Sequence, residues 1–188
     1  MTNRFIIACW LIFLAYWIIS AVGAKRKIRG RSWRRGAWFR LALLIGAFQL
    51  QRLPVFRHFS QSIYPGDSSH PTIGVIGVIF CATGIAFAIW ARHHLGKNWG
   101  MPMSLQQDHE LVTTGPYARV RHPIYTGILL AMLGSALAEG VGWLPIFLIF
   151  FAYFVYSAKT EEKLMAQQFP NDYPAYKERT KMLIPFVW

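Results

Sequence analysis

The side chains able to do chemistry fall in two short stretches of an otherwise apolar chain. The first runs from His109-Glu110-Leu111-Val112, through Gly115-Pro116-Tyr117, to Arg121-His122-Pro123-Ile124-Tyr125. Gly115-Pro116 breaks regular structure, and Pro123 suits the first turn of a helix, where its missing N–H is not needed. His122 then falls at or near the helix N-cap, beside free backbone N–H groups that favour a carboxylate or another anion. The second stretch holds Lys159-Thr160-Glu161-Glu162-Lys163, followed by Phe169, Tyr173 and Tyr176, in a chain with only eight acidic residues. A carboxylate there can accept hydrogen bonds from a ribose or an ammonium group. Each stretch also has a plainer reading: interfacial Arg, His and Tyr anchors for the first, and a solvated helix face with Glu–Lys pairing for the second.

Both stretches hang on apolar segments. Of the 188 residues, 54% are hydrophobic and 16% aromatic, well above an ordinary soluble domain. Crossing the hydrocarbon core takes about 20 mostly apolar residues at 1.5 Å rise each. Residues 5–24 and 72–91 supply two such runs. Between 124 and 158 the only side chain charged at neutral pH is Glu139, within Ala138-Glu139-Gly140-Val141-Gly142, which reads as the tight outer turn of a helical hairpin. Residues 37–55 form the weakest span, interrupted by Arg40, Gln49, Gln51 and Arg52, whose basic members can snorkel to the interface.

The expected architecture is therefore an all-α, polytopic transmembrane helical bundle of about five spans. Its helices cover 5–24, 37–55, 72–92, 124–138 and 142–158, with a basic loop at 25–36, an outer loop at 56–71, an inner loop to about 121 and a polar C-terminal tail. Gly74, Gly77, Gly84, Gly127 and Gly134 let helix backbones approach closely. The outer loop, with Pro65, Gly66, Asp67 and Pro71, is turn chemistry.

A net charge of +12 suggests nucleic acid until its placement is considered, because sixteen of the twenty Lys and Arg sit in the first loop, the inner loop and the tail. With five spans these three segments share one side, and the positive-inside rule makes it cytoplasmic. The expectation is a multi-pass protein of the cell membrane with its N-terminus outside, its C-terminus cytoplasmic, and residues 25–35 against anionic lipid headgroups. The first run is a retained helix, since its basic cluster follows the apolar stretch instead of preceding it. Cys9 and Cys81 lie within spans as small apolar groups. No metal is expected: His93 and His94 are adjacent, and no His-x-x-x-His or Cys-rich spacing occurs.

The ordered pattern His-x-Leu-Val, Gly-x-Tyr, Arg-His-Pro-x-Tyr, then paired Glu about 35 residues on, Phe-x-x-x-Tyr-x-x-Tyr and Leu-x-Pro resembles the isoprenylcysteine carboxyl methyltransferase family. More broadly it resembles the membrane methyltransferases that include phospholipid N-methyltransferases. The resemblance covers roughly residues 90–186 and implies a methyltransferase core over 72–188, following N-terminal helices and the polybasic loop over 1–71. It implies S-adenosylmethionine held at the cytoplasmic face by His109, Glu110, Leu111, Val112, Tyr117, His122, Pro123, Ile124, Tyr125 and Glu161, with a lipidic acceptor entering from the bilayer. Members that methylate prenylcysteine carry an Arg one helical turn before the glutamate matching Glu161, where this chain has Ser157. Ser157 marks the expected substrate position, and Lys159 or Arg92 takes over its missing charge.

Methyl transfer from a sulfonium asks the protein mainly to align the reacting atoms and exclude water. A carboxylate acceptor needs no base, whereas an amine or thiol does; Arg92 and Glu162 are the candidates for a catalytic part. Three readings follow. The first is methylation of the carboxylate of a prenylated cysteine or a similar acceptor, the second methylation of a phospholipid amine or small thiol, and the third a non-catalytic membrane accessory or transport protein on the same scaffold.

Overall fold

The computed structural model describes residues 2–21, 54, 71–99, 110–140 and 143–185. Five α-helices occur among them: α1 (Thr2–Ala21), α2 (Pro71–Leu95), α3 (Pro123–Glu139), α4 (Leu144–Gln168) and α5 (Tyr173–Arg179). Short 3-10 turns at Gly96–Asn98 and Gly115–Ala118 flank the inner loop. The fold is the expected all-α bundle, and the protein is an integral membrane protein: α1 (over Thr2–Ser20), α2 and α4 are each long and apolar enough to cross a bilayer. With 17 residues, α3 is the shorter apolar helix. The expected span at 37–55 and the basic loop at 25–36 lie outside the described residues, apart from Pro54.

Two boundaries differ from the sequence expectation. α2 continues to Leu95, carrying His93 and His94 on its last turn. More consequentially, the last span does not give way to a tail at 158 but runs unbroken to Gln168. Polarity changes along this helix while its period does not: residues 159–168 contain Lys, Thr, Glu, Leu, Met, Ala and Gln, nearly all good helix formers. Propensity thus carries the helix past the point where hydropathy falls.

α3 is the hub. On one side it packs with α1 and α2 around Phe13, Cys81, Ile85, Ala88, Ala131 and Ala138. On the other, Tyr125 and Leu129 join Tyr153, Phe154 and Ala158 of α4 and Met182 and Leu183 beyond α5. The α2–α3 seam is built on glycine. A Cβ on Gly84 would lie 2.5 Å from the Gly127 carbonyl oxygen, and one on Gly77 would lie 2.6 Å from that of Gly134. Because hydrocarbon gives helices little hydrophobic reason to associate, this backbone contact substitutes for it. At the far end α3 closes on Gly140, whose φ of 110° no side chain adopts readily.

Gly84→Leu should therefore force the α2–α3 seam apart, with an overpacking cost of about 1–3 kcal/mol. Thermal unfolding in detergent checks this: a midpoint several degrees below wild type is expected, while Ile79→Ala, on an exposed face of the same helix, should leave it nearly unchanged.

Candidate functional site

The inner loop and the C-terminal segment meet as a short ribbon. Arg121 N–H donates to the Lys181 carbonyl at 2.8 Å, His122 N–H to that of Met182 at 3.1 Å, and Lys181 N–H to that of Arg119 at 3.1 Å. Val120 and Lys181 form an isolated parallel bridge. Thr126 Oγ1 continues the zipper by donating to the Leu183 carbonyl at 2.6 Å, and Tyr176 Oη reaches the Tyr117 carbonyl at 2.7 Å.

Arg121 pins this junction to the end of α4. Its Nε donates to Glu162 Oε1 at 2.6 Å, with both side chains 9% exposed. Its Nη1 donates to the Thr180 carbonyl at 2.5 Å and the Lys177 carbonyl at 3.1 Å. Lys177 Nζ takes the other Glu162 oxygen at 3.2 Å. With so little water nearby, the carboxylate–guanidinium contact is a charge-assisted bond of the stronger kind.

Beside the pin lies a cleft of about 240 Å³. It is lined by the polar Glu110, Arg121, His122, Glu161, Tyr173 and Tyr176 and by apolar residues that include Trp17, Leu95, Ile128 and Phe154; Ile128 and Phe154 lie about 10 Å deeper along α3 and α4 than His122 and Glu161. Tyr125 Oη donates to Glu161 Oε1 at 2.5 Å, and Ser157 Oγ donates to the same oxygen at 3.1 Å. The second oxygen, Oε2, stands 3.5 Å from His122 Nδ1. His122 lies parallel to the Tyr125 ring, centroids 5.5 Å apart, and Tyr125 in turn stacks on Phe154 at 4.7 Å. His122 Nε2 is 3.7 Å from Glu162 Oε1, within ion-pair range, yet makes no hydrogen bond. Gly115 lets the loop enter close by: its φ is +59°, and a Cβ there would strike the His94 ring at 2.7 Å. His94 Nε2 pairs with Thr114 Oγ1 at 2.9 Å, and Asn98 Nδ2 donates to Glu110 Oε2 at 3.4 Å, so the end of α2 holds the returning loop.

Burial pulls the His122 imidazole down, but Glu161 and Glu162 outweigh it and raise it above its ordinary value. Tyr117, Tyr173 and Tyr176 are pushed well up, chiefly by burial, so their phenols stay neutral. The cleft thus offers aromatic faces, a carboxylate held by hydroxyls and a protonatable ring. Such a set suits a cation that also carries hydroxyls or a carboxylate.

Of the residues singled out from sequence, Glu110, Leu111, Val112, Tyr117, His122, Ile124, Tyr125 and Glu161 all line this cleft. Pro123 is buried at the first turn of α3, with His122 as its N-cap; His109 lies outside the described residues. Arg92, Ser157, Lys159 and Glu162 are not among the lining residues. Ser157 is fully buried behind the cleft, bonded to Tyr125 and Glu161. Lys159 is exposed on α4. Glu162 is engaged by Arg121 and Lys177, and Arg92 is buried at 3% exposure with its guanidinium on backbone carbonyls. Sequence reasoning missed Trp17, Trp99 and Met165 as lining residues and Arg121 as the pin. The aromatic residues had one signal, their place at the ends of spans.

Residues 72–172, just over half of the chain, match the phospholipid methyltransferase family. The chain is 31% identical over 133 residues to the cobalt-zinc-cadmium resistance protein of Cupriavidus metallidurans, covering 68% of this chain and 56% of that protein. It is 25% identical over its whole length to the protein-S-isoprenylcysteine O-methyltransferase B of Arabidopsis thaliana, covering 93% of that enzyme. It is 35% identical over 83 residues to the protein-S-isoprenylcysteine O-methyltransferase of Schizosaccharomyces pombe, covering 43% of this chain and 35% of that enzyme.

The His122 environment has a pH signature. Its folded value is raised above about 6.5, so the imidazolium contributes stability that is fully present below about 6.5 and lost as pH rises through the folded value. The thermal midpoint in detergent should therefore fall across that alkaline step in wild type, and the step should vanish in His122→Gln. Glu162→Ala should be the harsher change, since stranding the buried Arg121 guanidinium costs about 3–5 kcal/mol; the same melting assay reads it.

Proposed function

The chain belongs to the phospholipid methyltransferase family, and on that footing we propose that it transfers a methyl group from S-adenosylmethionine to a lipidic acceptor at the cytoplasmic face of the cell membrane. The observation that carries this reading is the convergence of Glu161, Tyr125, His122 and Tyr117 on one cleft, from segments up to about 45 residues apart in the sequence. When bound, S-adenosylmethionine supplies a methyl group already activated by its sulfonium.

The residues present fit that donor. Glu161, fixed by Tyr125 and Ser157 through one oxygen, keeps its other oxygen toward His122 and is suited to a ribose hydroxyl or an ammonium group. His122 Nε2, buried without a hydrogen bond, is an available donor for a carboxylate. The Tyr117 ring, which lines the cleft, offers a π-face to a cationic sulfur. His109, as the first residue of the motif, and Glu110, Leu111, Val112, Pro123 and Ile124 complete the proposed donor site. The protein's work is alignment and exclusion of water, which the buried aromatic walls serve.

The acceptor we favour is the carboxylate of a prenylated cysteine or a similar group, on the strength of the similarity to the plant enzyme over the full chain. A carboxylate is already a nucleophile at neutral pH and asks for no base. One observation favours the second reading, a phospholipid amine or small thiol. Among the described lining residues the cations are Arg121 and His122; Arg121 is paired with Glu162 and His122 is assigned above to the methyl donor, which leaves no further cation among them to hold an anionic acceptor. A non-catalytic accessory or transport role draws its support from the resistance protein's name alone. We also propose that the N-terminus is outside, the C-terminus cytoplasmic, and the 25–35 segment against anionic headgroups.

Glu161→Gln and Tyr125→Phe should each weaken S-adenosylmethionine binding by about tenfold, matching the loss of a charge-assisted hydrogen bond, with the protein still folded and membrane-inserted. Binding to purified protein in nanodiscs tests this. Radiolabelled methyl transfer to a prenylcysteine analogue and to native lipid extract, followed by mild base, then sorts the acceptors. Label released by base is a methyl ester; label that resists base is on nitrogen or sulfur. Absence of both binding and transfer would favour the non-catalytic role.

A further inference from the structure

The family match begins at residue 72, so α1 stands outside it, yet α1 reaches the cleft through Trp17. The placement of that indole is built, not incidental. Arg92, on the last turn of α2, is buried at 3% exposure and donates from Nη2 to the Ser20 carbonyl of α1 at 2.6 Å and from Nη1 to the Gly96 carbonyl at 2.9 Å. The cation thus caps the carbonyl end of α1 and complements its dipole, while tying it to the turn that follows α2. The same guanidinium lies 4.4 Å over the Trp99 ring, and Trp99 stands edge-on to Trp17 with centroids 6.2 Å apart. Phe13 stacks on Trp17 at 4.4 Å. The indole is thus in contact with a residue of its own helix and with a tryptophan set by Arg92.

What this wall faces is apolar. Ile128 on α3 and Phe154 on α4 line the same cleft; Phe154 lies seven residues before Glu161 on one helix, about 10 Å deeper along its axis. Glu161 and His122 occupy the other end. On the reading proposed above, the polar end takes the donor, and the apolar end is left for the non-polar part of the acceptor. We infer that Trp17 is a specificity-determining residue for that acceptor, gauging the bulk and length of its apolar chain, and that Arg92 is the positioning residue that sets it. Arg92 therefore acts on the acceptor through Trp99 and Trp17, without contacting it.

The test uses the full-length protein in nanodiscs and a panel of N-acetylcysteines bearing S-geranyl, S-farnesyl or S-geranylgeranyl chains, with diacylphosphatidylethanolamines of two chain lengths alongside. Relative kcat/KM across chain lengths and the affinity for S-adenosylmethionine are measured for wild type, Trp17→Ala, Trp17→Phe and Arg92→Met. One extra or missing methylene in an apolar pocket shifts selectivity by about 10-fold or more. Trp17→Ala should move the chain-length preference by at least that much, through KM, with donor affinity within about twofold of wild type. Arg92→Met should shift the preference in the same direction, and Trp17→Phe should stay near wild type. A Trp17→Ala protein that binds donor, transfers methyl and keeps the wild-type chain-length profile overturns the inference while leaving the methyltransferase reading intact. A wild-type protein that neither binds donor nor methylates any member of the panel overturns both.

Discussion

The site depends on one buried ion pair. Arg121 and Glu162 meet at 2.6 Å across 41 residues of chain, and the segments they join have little else in common. One is an inner loop with a single turn of 3-10 helix, the other a membrane helix that has already left its apolar stretch. Removing both charges from water is expensive unless every remaining donor is met. Arg121 satisfies that condition by also donating to two backbone carbonyls, and Lys177 by taking the second carboxylate oxygen. Adjoining this junction is the ribbon of Arg121 and His122 against Lys181 and Met182. The cleft is then bounded on three sides by parts of the chain that no local preference would bring together.

The two adjacent glutamates take different roles because they point different ways from the same helix. Neighbouring residues on an α-helix are separated by roughly 100°. Glu161 accordingly faces the cleft, 23% exposed, with hydroxyls from Tyr125 and Ser157 on one oxygen. Glu162 faces the loop and is consumed by the ion pair. His122 lies between them and takes its raised proton affinity from both. One pair of carboxylates therefore fastens the site and furnishes it.

Much of this was legible in the sequence. Run length and charge placement identified the apolar helices, and glycine spacing indicated the seam between α2 and α3, because backbone contact in a membrane leaves a compositional trace. The residues singled out through the ordered motif that lie in the described regions meet at a single cleft, with Pro123 buried beside it. Three features were not legible. The length of α4 was hidden because hydropathy ends at 158 while helix propensity continues to 168. Arg121 was legible as a member of the motif but not as the pin, since nothing local distinguishes a cation that will be buried from one that faces lipid headgroups. Trp17 was invisible as a lining residue because its neighbours in the cleft come from α2, α3 and α4, and only the packed bundle brings them together. Ser157 was legible as a departure, yet its consequence was not: it sits behind Tyr125 as a fully buried hydrogen-bond partner.

The unbroken passage of α4 from apolar to charged sequence has a consequence for how this site can vary. Phe154 and Glu161 belong to one rigid screw, separated by two turns, so their angular relation is written into the count of residues between them. A single inserted residue would swing Glu161 by roughly 100° to the bearing of Glu162, and a single deletion would swing it to that of Thr160; either change would break the contacts with Tyr125 and Arg121 that the two carboxylates now make. Substitution can tune this interval, but length cannot change in it without dismantling the site, and the phase of a membrane helix becomes an element of chemical specificity.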